Sequence, residues 1–160
     1  MTLHPIGVIR TPFHEQKGTP IQAALASGAE GTVEVDPAYE PGLADLDGFS
    51  HITLVYFFHL CDGFDLHVTP YLDQAQRGLF ATRAPRRPNP IGISTVRLLA
   101  VQANILRVAD VDMLDGTPLL DIKPFVPDFD HRTDVRTGWY GTLARTPDVR
   151  ADARFEGRRR

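Results

Sequence analysis

The apolar residues of this sequence fall into short runs of strand length, and most of these runs end at turn-forming residues. Such runs are typical of an antiparallel sheet or barrel, because each strand buries one face and then reverses at a turn. A doubly wound α/β fold would instead alternate its strands with helical segments of about ten residues or more. Only residues 21–29, 37–46 and the region after 138 have helical character, so we predict an all-β, mainly antiparallel fold with a few short helices. The strand-like runs are 6–10, 31–35, 51–60, 79–82, 94–101, 105–113 and 119–122.

Length and composition indicate a single folded domain. With 160 residues, of which 42% are hydrophobic and 23% are charged, the chain can bury a core, and wholesale disorder is excluded. The longest apolar run, 52–58, is too short to cross a membrane, and the first residues do not read as a signal peptide. The single cysteine, Cys61, suits a reducing compartment. We therefore expect a cytoplasmic protein with no membrane partner.

Charge is unevenly distributed along the chain. The net charge of −3 argues against a protein that holds nucleic acid by bulk electrostatics. Residues 145–160 contain six arginines and three acidic residues, so this tail carries +3 and the rest of the chain carries −6. The tail is either a frayed, solvated terminus or a segment that touches RNA.

Several common cofactor and catalytic motifs do not occur in the sequence. Neither G-x-G-x-x-G nor G-x-x-x-x-G-K-[ST] is present, which disfavours a Rossmann dinucleotide site and a P-loop. The serine hydrolase motif G-x-S-x-G is also missing. His51 and His59, with Asp62 and Asp65 nearby, lack the spacing of a metal motif, and we predict no metal.

Residues 83–92 combine three arginines and three prolines in the stretch Arg-Ala-Pro-Arg-Arg-Pro-Asn-Pro-Ile-Gly. Proline fixes its own φ and restricts the residue before it, so the loop is stiff without regular structure. A stiff loop loses little entropy on binding and can present guanidinium groups to a carboxylate or phosphate. The segment is therefore either an anion site or a rigid connector whose arginines face water.

Acidic residues are concentrated in residues 111–125. The run Asp115-Gly-Thr-Pro118 is typical of a tight turn. Asp121 and Lys123 are two positions apart, so they share a face if the chain is extended there. Asp112 could share a cleft with them.

Four ordered motifs resemble the TsaA-like family, whose best-characterised members are the TrmO-type tRNA methyltransferases. They are Gly7-Val-Ile-Arg-Thr-Pro-Phe with Pro20-Ile-Gln, Phe57-Phe-His, Gly78-Leu-Phe-Ala-Thr-Arg running into Arg87-Pro-Asn-Pro-Ile-Gly-Ile-Ser, and Asp112-Met-Leu-Asp-Gly-Thr-Pro-Leu-Leu-Asp-Ile-Lys-Pro-Phe. The resemblance covers roughly residues 3 to 130. It implies a small β-barrel of the TsaA-like type over residues 1–137, followed by a C-terminal extension with a basic tail over residues 138–160.

The resemblance also implies that the barrel forms a homodimer and binds S-adenosylmethionine without a Rossmann fold. Matched motif by motif, one set of residues would contact this cofactor. Arg83 suits the carboxylate of the cofactor, and the acidic residues suit its ribose hydroxyls or its ammonium group. The implied cofactor-binding residues are Gln22, Ala23, Ala24, Leu25, His59, Leu60, Arg83, Ile93, Asp112, Met113, Leu114 and Asp115.

In the family, the methyl group goes to the exocyclic nitrogen of threonylcarbamoyladenosine beside the anticodon of certain tRNAs. That nitrogen is a weak nucleophile unless its proton is removed, and we assign Asp121 as the proton acceptor and Lys123 as a stabiliser of the anionic nucleotide. Because the body of the chain is acidic, we expect tRNA to bind weakly and through the tail. The alternatives are a methyltransferase of the same fold that acts on a smaller acceptor and a non-catalytic S-adenosylmethionine sensor.

Overall fold

Six antiparallel strands close into a barrel in the computed structural model, which describes residues 2–23, 26, 28–143 and 150–155. Going round the barrel, the strand order is β1, β2, β7, β6, β3 and β8, and β8 pairs back onto β1. The predicted all-β barrel with a few short helices is therefore confirmed. The strands are β1 Gly7–Arg10, β2 Glu30–Val35, β3 His51–Phe57, β4 His67–Val68, β5 Arg77–Gly78, β6 Ile91–Gln102, β7 Ile105–Ala109 and β8 Thr117–Pro124.

The core lies inside the barrel and follows from the alternation of side chains along the strands. In β3, Ile52, Leu54 and Tyr56 point inward and are buried, while the residues between them lie on the outer face. Val96 of β6 and Leu119 of β8 are fully buried against them. Burying each such aliphatic side chain contributes about 1.5–3 kcal/mol to stability.

A second, smaller unit lies outside the barrel. Strands β4 and β5 pair with each other through His67 and Gly78 and through Val68 and Arg77. Beside this ribbon, Val68, Leu79 and Phe155 form a separate buried cluster. This unit forms part of the wall of the cleft described below.

The helices whose bounds fall within the described residues are few and short. They are the 3-10 helices Pro37–Leu43, Leu46–Gly48, Leu79–Ala81, Gly138–Thr142 and Ala153–Phe155 and the α-helix Pro127–Asp130. The helical character predicted for 37–46 and after 138 thus takes the form of 3-10 turns. In the stretch 21–29, Ala23 has 3-10 conformation, the Ala26 and Ala29 amides donate to the carbonyls of Ala23 and Ala26, and Gly28 has a φ of +80°, while residues 24, 25 and 27 lie outside the described residues. In the part of the chain that the structure describes, none of the helices is long and apolar enough for a membrane span.

The segment 150–155 packs back onto the body of the chain. Arg150 forms an antiparallel bridge with Pro20, and the Ala151 amide donates to the Thr19 carbonyl at 2.9 Å. Phe155 is 5% exposed in the second cluster. This part of the predicted C-terminal extension therefore packs onto the rest of the chain. The basic residues after Phe155 lie outside the described residues.

Candidate active site

A cleft of about 1380 Å³ lies between the end of the barrel and the smaller β4–β5 unit. Its lining is mostly apolar with a few polar groups that converge on it, which is the usual composition of a small-molecule site. Its volume exceeds the range of about 300–1,000 Å³ that is usual for small-molecule pockets, so it has room for a nucleoside-sized ligand and part of a second one. The segments that contribute lining residues are 14–22, 58–62, 70–72, 80–85, 112–114 and 137–140, together with Tyr56, Thr117, Ala151 and Phe155.

Asp112 at the floor of the cleft is held by a chain of hydroxyl groups. The Ser94 hydroxyl donates to Asp112 Oδ1 at 2.7 Å, and the Tyr56 hydroxyl lies 3.0 Å from Ser94 Oγ. Since the one hydroxyl proton of Ser94 is directed at the carboxylate, Tyr56 is the donor to Ser94. Burial raises the pKa of Asp112 to about 6, while hydrogen bonds from Ser94 and the Ala23 amide oppose the rise. Asp112 is therefore an anion at neutral pH and an acid only a little below it.

Gly92 makes room for the Tyr56 side chain. The two residues are paired across β3 and β6. A Cβ atom at Gly92 would overlap the Tyr56 ring and approach the Phe58 ring. The Tyr56 and Phe58 rings pack edge to face, with centroids 5.4 Å apart. The absence of a side chain at Gly92 thus lets the Tyr56 hydroxyl reach Ser94.

Arg83 connects two sides of the cleft. Its Nη1 donates to Gln22 Oε1 at 2.8 Å, so a charged guanidinium lines the cleft, and it forms no ion pair with a carboxylate of the described residues. In the same stiff loop, Arg87 donates to the carbonyls of Thr82 and Ala84 at 3.0 and 3.3 Å. Arg86 lies 3.4 Å from Asp65. The arginines of the loop therefore do not simply face water, because Arg86 and Arg87 are held by the chain and Arg83 faces the cleft. Anion binding by the loop stays a prediction.

His59 and Cys61 follow β3 and also line the cleft. Burial lowers the pKa of His59, with a smaller opposing effect from the Asp115 charge, so the imidazole is neutral at neutral pH. Burial raises the pKa of the Cys61 thiol to about 11 despite the nearby Arg86. The thiol is therefore protonated and a poor nucleophile, whereas His59 can accept a proton.

The cleft brings together more than half of the residues that the sequence analysis assigned to the cofactor. Ala23 lies behind the lining, with its amide directed at Asp112. Ala24 and Leu25 lie outside the described residues. The predicted residues that line the cleft are Gln22, His59, Leu60, Arg83, Asp112, Met113 and Leu114.

Two other predicted cofactor contacts, Asp115 and Ile93, are not among the residues that line the cleft, although the Asp115 charge acts on the pKa of His59. The Asp115 carboxylate accepts a hydrogen bond from the Thr11 amide at 3.1 Å, which fastens the segment after β1 to the β7–β8 turn. Ile93 is 56% exposed on the outer face of β6, because it alternates with the inward-facing Ser94. Within one chain, neither residue lines the cleft.

Asp121 and Lys123, the residues predicted to handle the acceptor proton, are also outside the cleft. They form an ion pair of 2.8 Å on the outer face of β8. Asp121 is paired with Val55 and Leu119 is paired with Tyr56, so the extra residue Leu120 in β8 turns Asp121 to the outer face while Leu119 points into the barrel. The expectation that Asp121 and Lys123 share a cleft with Asp112 is thus not met within a single chain.

Tyr56 and Ser94 are site residues that the sequence analysis missed. The sequence feature that could have identified them is a polar side chain at an inward-facing position where the neighbouring inward positions are apolar. Tyr56 follows Ile52 and Leu54 in this way, and Ser94 precedes Val96. A buried polar group needs a hydrogen-bond partner, and the two hydroxyls supply one to each other. As for metals, the described residues contain no group of three or more His, Cys, Asp or Glu side chains placed to hold an ion.

Comparisons with known proteins find relatives that are described as S-adenosylmethionine-binding proteins or tRNA methyltransferases. The family model described as the tRNA-methyltransferase O N-terminal domain matches residues 8–131. A Pyrococcus abyssi protein described as a probable S-adenosyl-L-methionine-binding protein is 55% identical over 152 residues, covering 94% of this chain and 83% of that protein. A mouse tRNA (adenine(37)-N6)-methyltransferase is 35% identical over 79% of this chain and 31% of its own length.

The solved structure of TrmO from Pseudomonas aeruginosa resembles this chain with a TM-score of 0.73 and 42% identity. The match covers 87% of this chain and 62% of the TrmO chain, so this chain spans less than two thirds of that protein.

Proposed function

This chain belongs to the TsaA-like family of TrmO-type, S-adenosylmethionine-dependent methyltransferases, and we propose that it methylates N6 of threonylcarbamoyladenosine beside the anticodon of tRNA. The observation that carries the proposal is the cleft itself. A cation at Arg83, a hydrogen-bonded carboxylate at Asp112 and a neutral imidazole at His59 converge there on an apolar lining.

The residues of the cleft fit S-adenosylmethionine chemically. The guanidinium of Arg83 matches the carboxylate of the methionine end of the cofactor. The Asp112 carboxylate, anchored by Ser94, matches an ammonium or the ribose hydroxyls. Leu60, Met113 and Leu114 supply an apolar surface of the kind that adenine packs on. When bound, the cofactor supplies an electrophilic methyl group on a sulfonium.

The chain's own residues then have two tasks. They align the acceptor nitrogen with the methyl group, and they remove a proton from that nitrogen. Alignment contributes at most about 7–11 kcal/mol to lowering a barrier of this type. The acceptor nitrogen shares its lone pair with a carbonyl and a purine, so loss of its proton strengthens the nucleophile. Of the groups that line the cleft, His59 is neutral and able to take that proton, whereas Asp112 already accepts hydrogen bonds from Ser94 and Ala23. We therefore assign the proton-accepting role to His59 in place of Asp121.

A smaller methyl acceptor is the second candidate, and one observation favours it. Two of the arginines near the cleft are paired with carboxylates, Arg77 with Asp73 at 2.7 Å and Arg86 with Asp65 at 3.4 Å. This pairing leaves fewer cations for phosphate contacts, and it agrees with the prediction that tRNA binds weakly. A protein that only senses the cofactor would bind it in the same cleft without turnover.

The homodimer expected from the family remains a proposal, and the outer face of β3 and β6 is the surface that suits it. Phe57 and Ile91 are paired there and are 37% and 38% exposed, and Ile93 lies beside them at 56%. The ion pair of Asp121 and Lys123 lies at the edge of this face. A second copy of the chain, related by a two-fold axis, would therefore face one negative and one positive side chain there. Sedimentation equilibrium should give twice 17.8 kDa for the wild type and a lower mass for Ile93→Asp. A wild-type mass of 17.8 kDa at tens of micromolar would refute the proposal.

Complementation tests the proposed acceptor. The chain is expressed in a strain that lacks a TrmO-type enzyme, and its bulk tRNA is digested and analysed for N6-methylated threonylcarbamoyladenosine. We expect wild-type chain to restore the modified nucleoside and Arg83→Ala to fail, with Arg107→Ala, an exposed arginine paired with Glu30, as the matched control. If wild-type chain is folded and expressed but the methylated nucleoside stays absent, the proposed tRNA activity is wrong.

A further inference from the structure

Three aromatic side chains, Phe80, Trp139 and Tyr140, line the cleft and form what we call the aromatic rim. Phe80 is 74% exposed and Tyr140 is 45% exposed. Single exposed aromatic side chains are common on protein surfaces, but a cluster of them at a cleft indicates a binding surface. Buried rings stabilise the fold, so rings left exposed together suggest a contact with a ligand. Neither the barrel core nor the second cluster includes any of the three residues.

The aromatic rim is held in place by the chain. Trp139 Nε1 donates to the Ala81 carbonyl at 2.8 Å, and Ala81 directly follows Phe80 in the 3-10 helix Leu79–Ala81. The Trp139 and Tyr140 rings pack edge to face at 6.2 Å. The rim is therefore preorganised, and a ligand that contacts it loses little protein entropy on binding.

Arginines accompany the rings of the aromatic rim. The Arg77 guanidinium lies 5.5 Å from the Trp139 ring centroid, and that of Arg87 lies 5.7 Å from the Phe80 centroid. Both are fixed, Arg77 by Asp73 at 2.7 Å and Arg87 by two carbonyl groups. Aromatic faces next to guanidinium planes are the combination on which proteins stack unpaired nucleobases.

We propose that the aromatic rim is a stacking site for the unpaired RNA bases that flank the methyl acceptor. The inference rests on the proposed function and extends it, because it states how an acidic chain holds RNA at the cleft. Stacking needs only the π-face of a base and little net charge, so it complements the few phosphate contacts available here. It also selects unpaired RNA, because bases within a duplex are already stacked on each other.

The single tryptophan of the chain, Trp139, makes this inference directly measurable. The full chain is titrated with a short RNA hairpin that has an unpaired loop, and with a duplex of matched composition, while tryptophan fluorescence is followed. We expect the hairpin to quench the fluorescence and the duplex to have little effect. Phe80→Ala should weaken hairpin affinity from about 5-fold to about 150-fold, the range for loss of one stacked base, and Phe80→Tyr should restore it.

Phe129→Ala is the matched control, because Phe129 is 72% exposed but lies outside the cleft lining. Equal hairpin affinity for Phe80→Ala, Phe129→Ala and wild type would overturn the inference, and so would tryptophan fluorescence that does not respond to saturating hairpin. If Phe80→Ala changes only the mass measured by sedimentation, the rim contacts a second copy of the chain and the inference is wrong. Binding that depends on Phe80 without methyl transfer would support the stacking site while removing the proposed activity.

Discussion

The buried carboxyl of Asp112 should lower the stability of the protein at neutral pH, and Asp112→Asn should relieve this effect. Burial raises the pKa of Asp112 from 3.8 to about 6 in the folded protein. A raised carboxyl pKa means that the folded state binds the proton more tightly than the unfolded state does. The resulting loss of stability is absent below the unfolded pKa, grows as the pH rises from about 4 to about 6, and is constant above that range.

The magnitude follows from the same values. At about 1.36 kcal/mol for each unit of pKa, the ionised carboxyl lowers the free energy of unfolding by at most about 3 kcal/mol, and by less where the cleft admits water. Asparagine has nearly the same shape and keeps one oxygen that accepts from Ser94, and like the protonated carboxyl it offers the Ala23 amide no charged acceptor. The substitution therefore mimics the protonated form of Asp112.

Chemical denaturation of the two proteins across this pH range is the assay. We expect Asp112→Asn to exceed the wild type in free energy of unfolding by roughly 1–3 kcal/mol near pH 8 and to match it near pH 4. Asp121→Asn is the control, because its exposed ion pair with Lys123 contributes at most about 1 kcal/mol. A difference between wild type and Asp112→Asn that is constant with pH, or that favours the wild type as the pH rises, would refute the reasoning.

Three further substitutions probe the cleft and its walls, and one deletion probes the basic tail. Wild-type chain should bind S-adenosylmethionine at micromolar level, about −8 kcal/mol, and Arg83→Ala should weaken this at least tenfold in calorimetry, whereas unchanged affinity would remove Arg83 from the site. Gly92→Ala should lower the midpoint of thermal unfolding because its Cβ overlaps the Tyr56 ring, and an unaltered midpoint would show that the ring has room to move. Phe155→Ala should cost about 3–5 kcal/mol of stability, because the ring is buried in the cleft wall. Deletion of 156–160 should leave cofactor affinity intact while tRNA affinity falls, and unaltered tRNA affinity would show that the basic tail does not contact RNA.

Much of the fold was predictable because alternation decides which face of a strand is buried. The pattern of β2, in which the buried Val33 and Val35 alternate with Thr32 and Glu34, is readable without a structure. Barrel closure is different, since it depends on the pairing of β1 with β8, strands that lie about 110 residues apart in sequence. No local pattern specifies that contact.

The candidate-site residues that belong to ordered sequence motifs were predictable. Residues whose position depends on strand register were not. Asp112 and Arg83 belong to ordered motifs, and both line the cleft. Asp121 belongs to the same motif as Asp112, but a bulge in β8 at Leu120 places it on the outer face, although Leu119 points inward. A one-residue change of register exchanges the two faces of a strand, and sequence spacing alone does not reveal a bulge.

Transfer of a labelled methyl group from S-adenosylmethionine to tRNA in vitro tests the central claim most directly. The acceptor is bulk tRNA from a strain that lacks the modification, and wild-type chain is compared with His59→Gln, Arg83→Ala and the control Phe129→Ala. We predict label on N6 of threonylcarbamoyladenosine with wild type and Phe129→Ala, and a loss of at least a hundredfold with His59→Gln, within the range for removal of a proton-accepting group. Label that stays with the protein-bound cofactor, or transfer that is equal in all four proteins, would contradict the assignment of this cleft as a methyltransferase site.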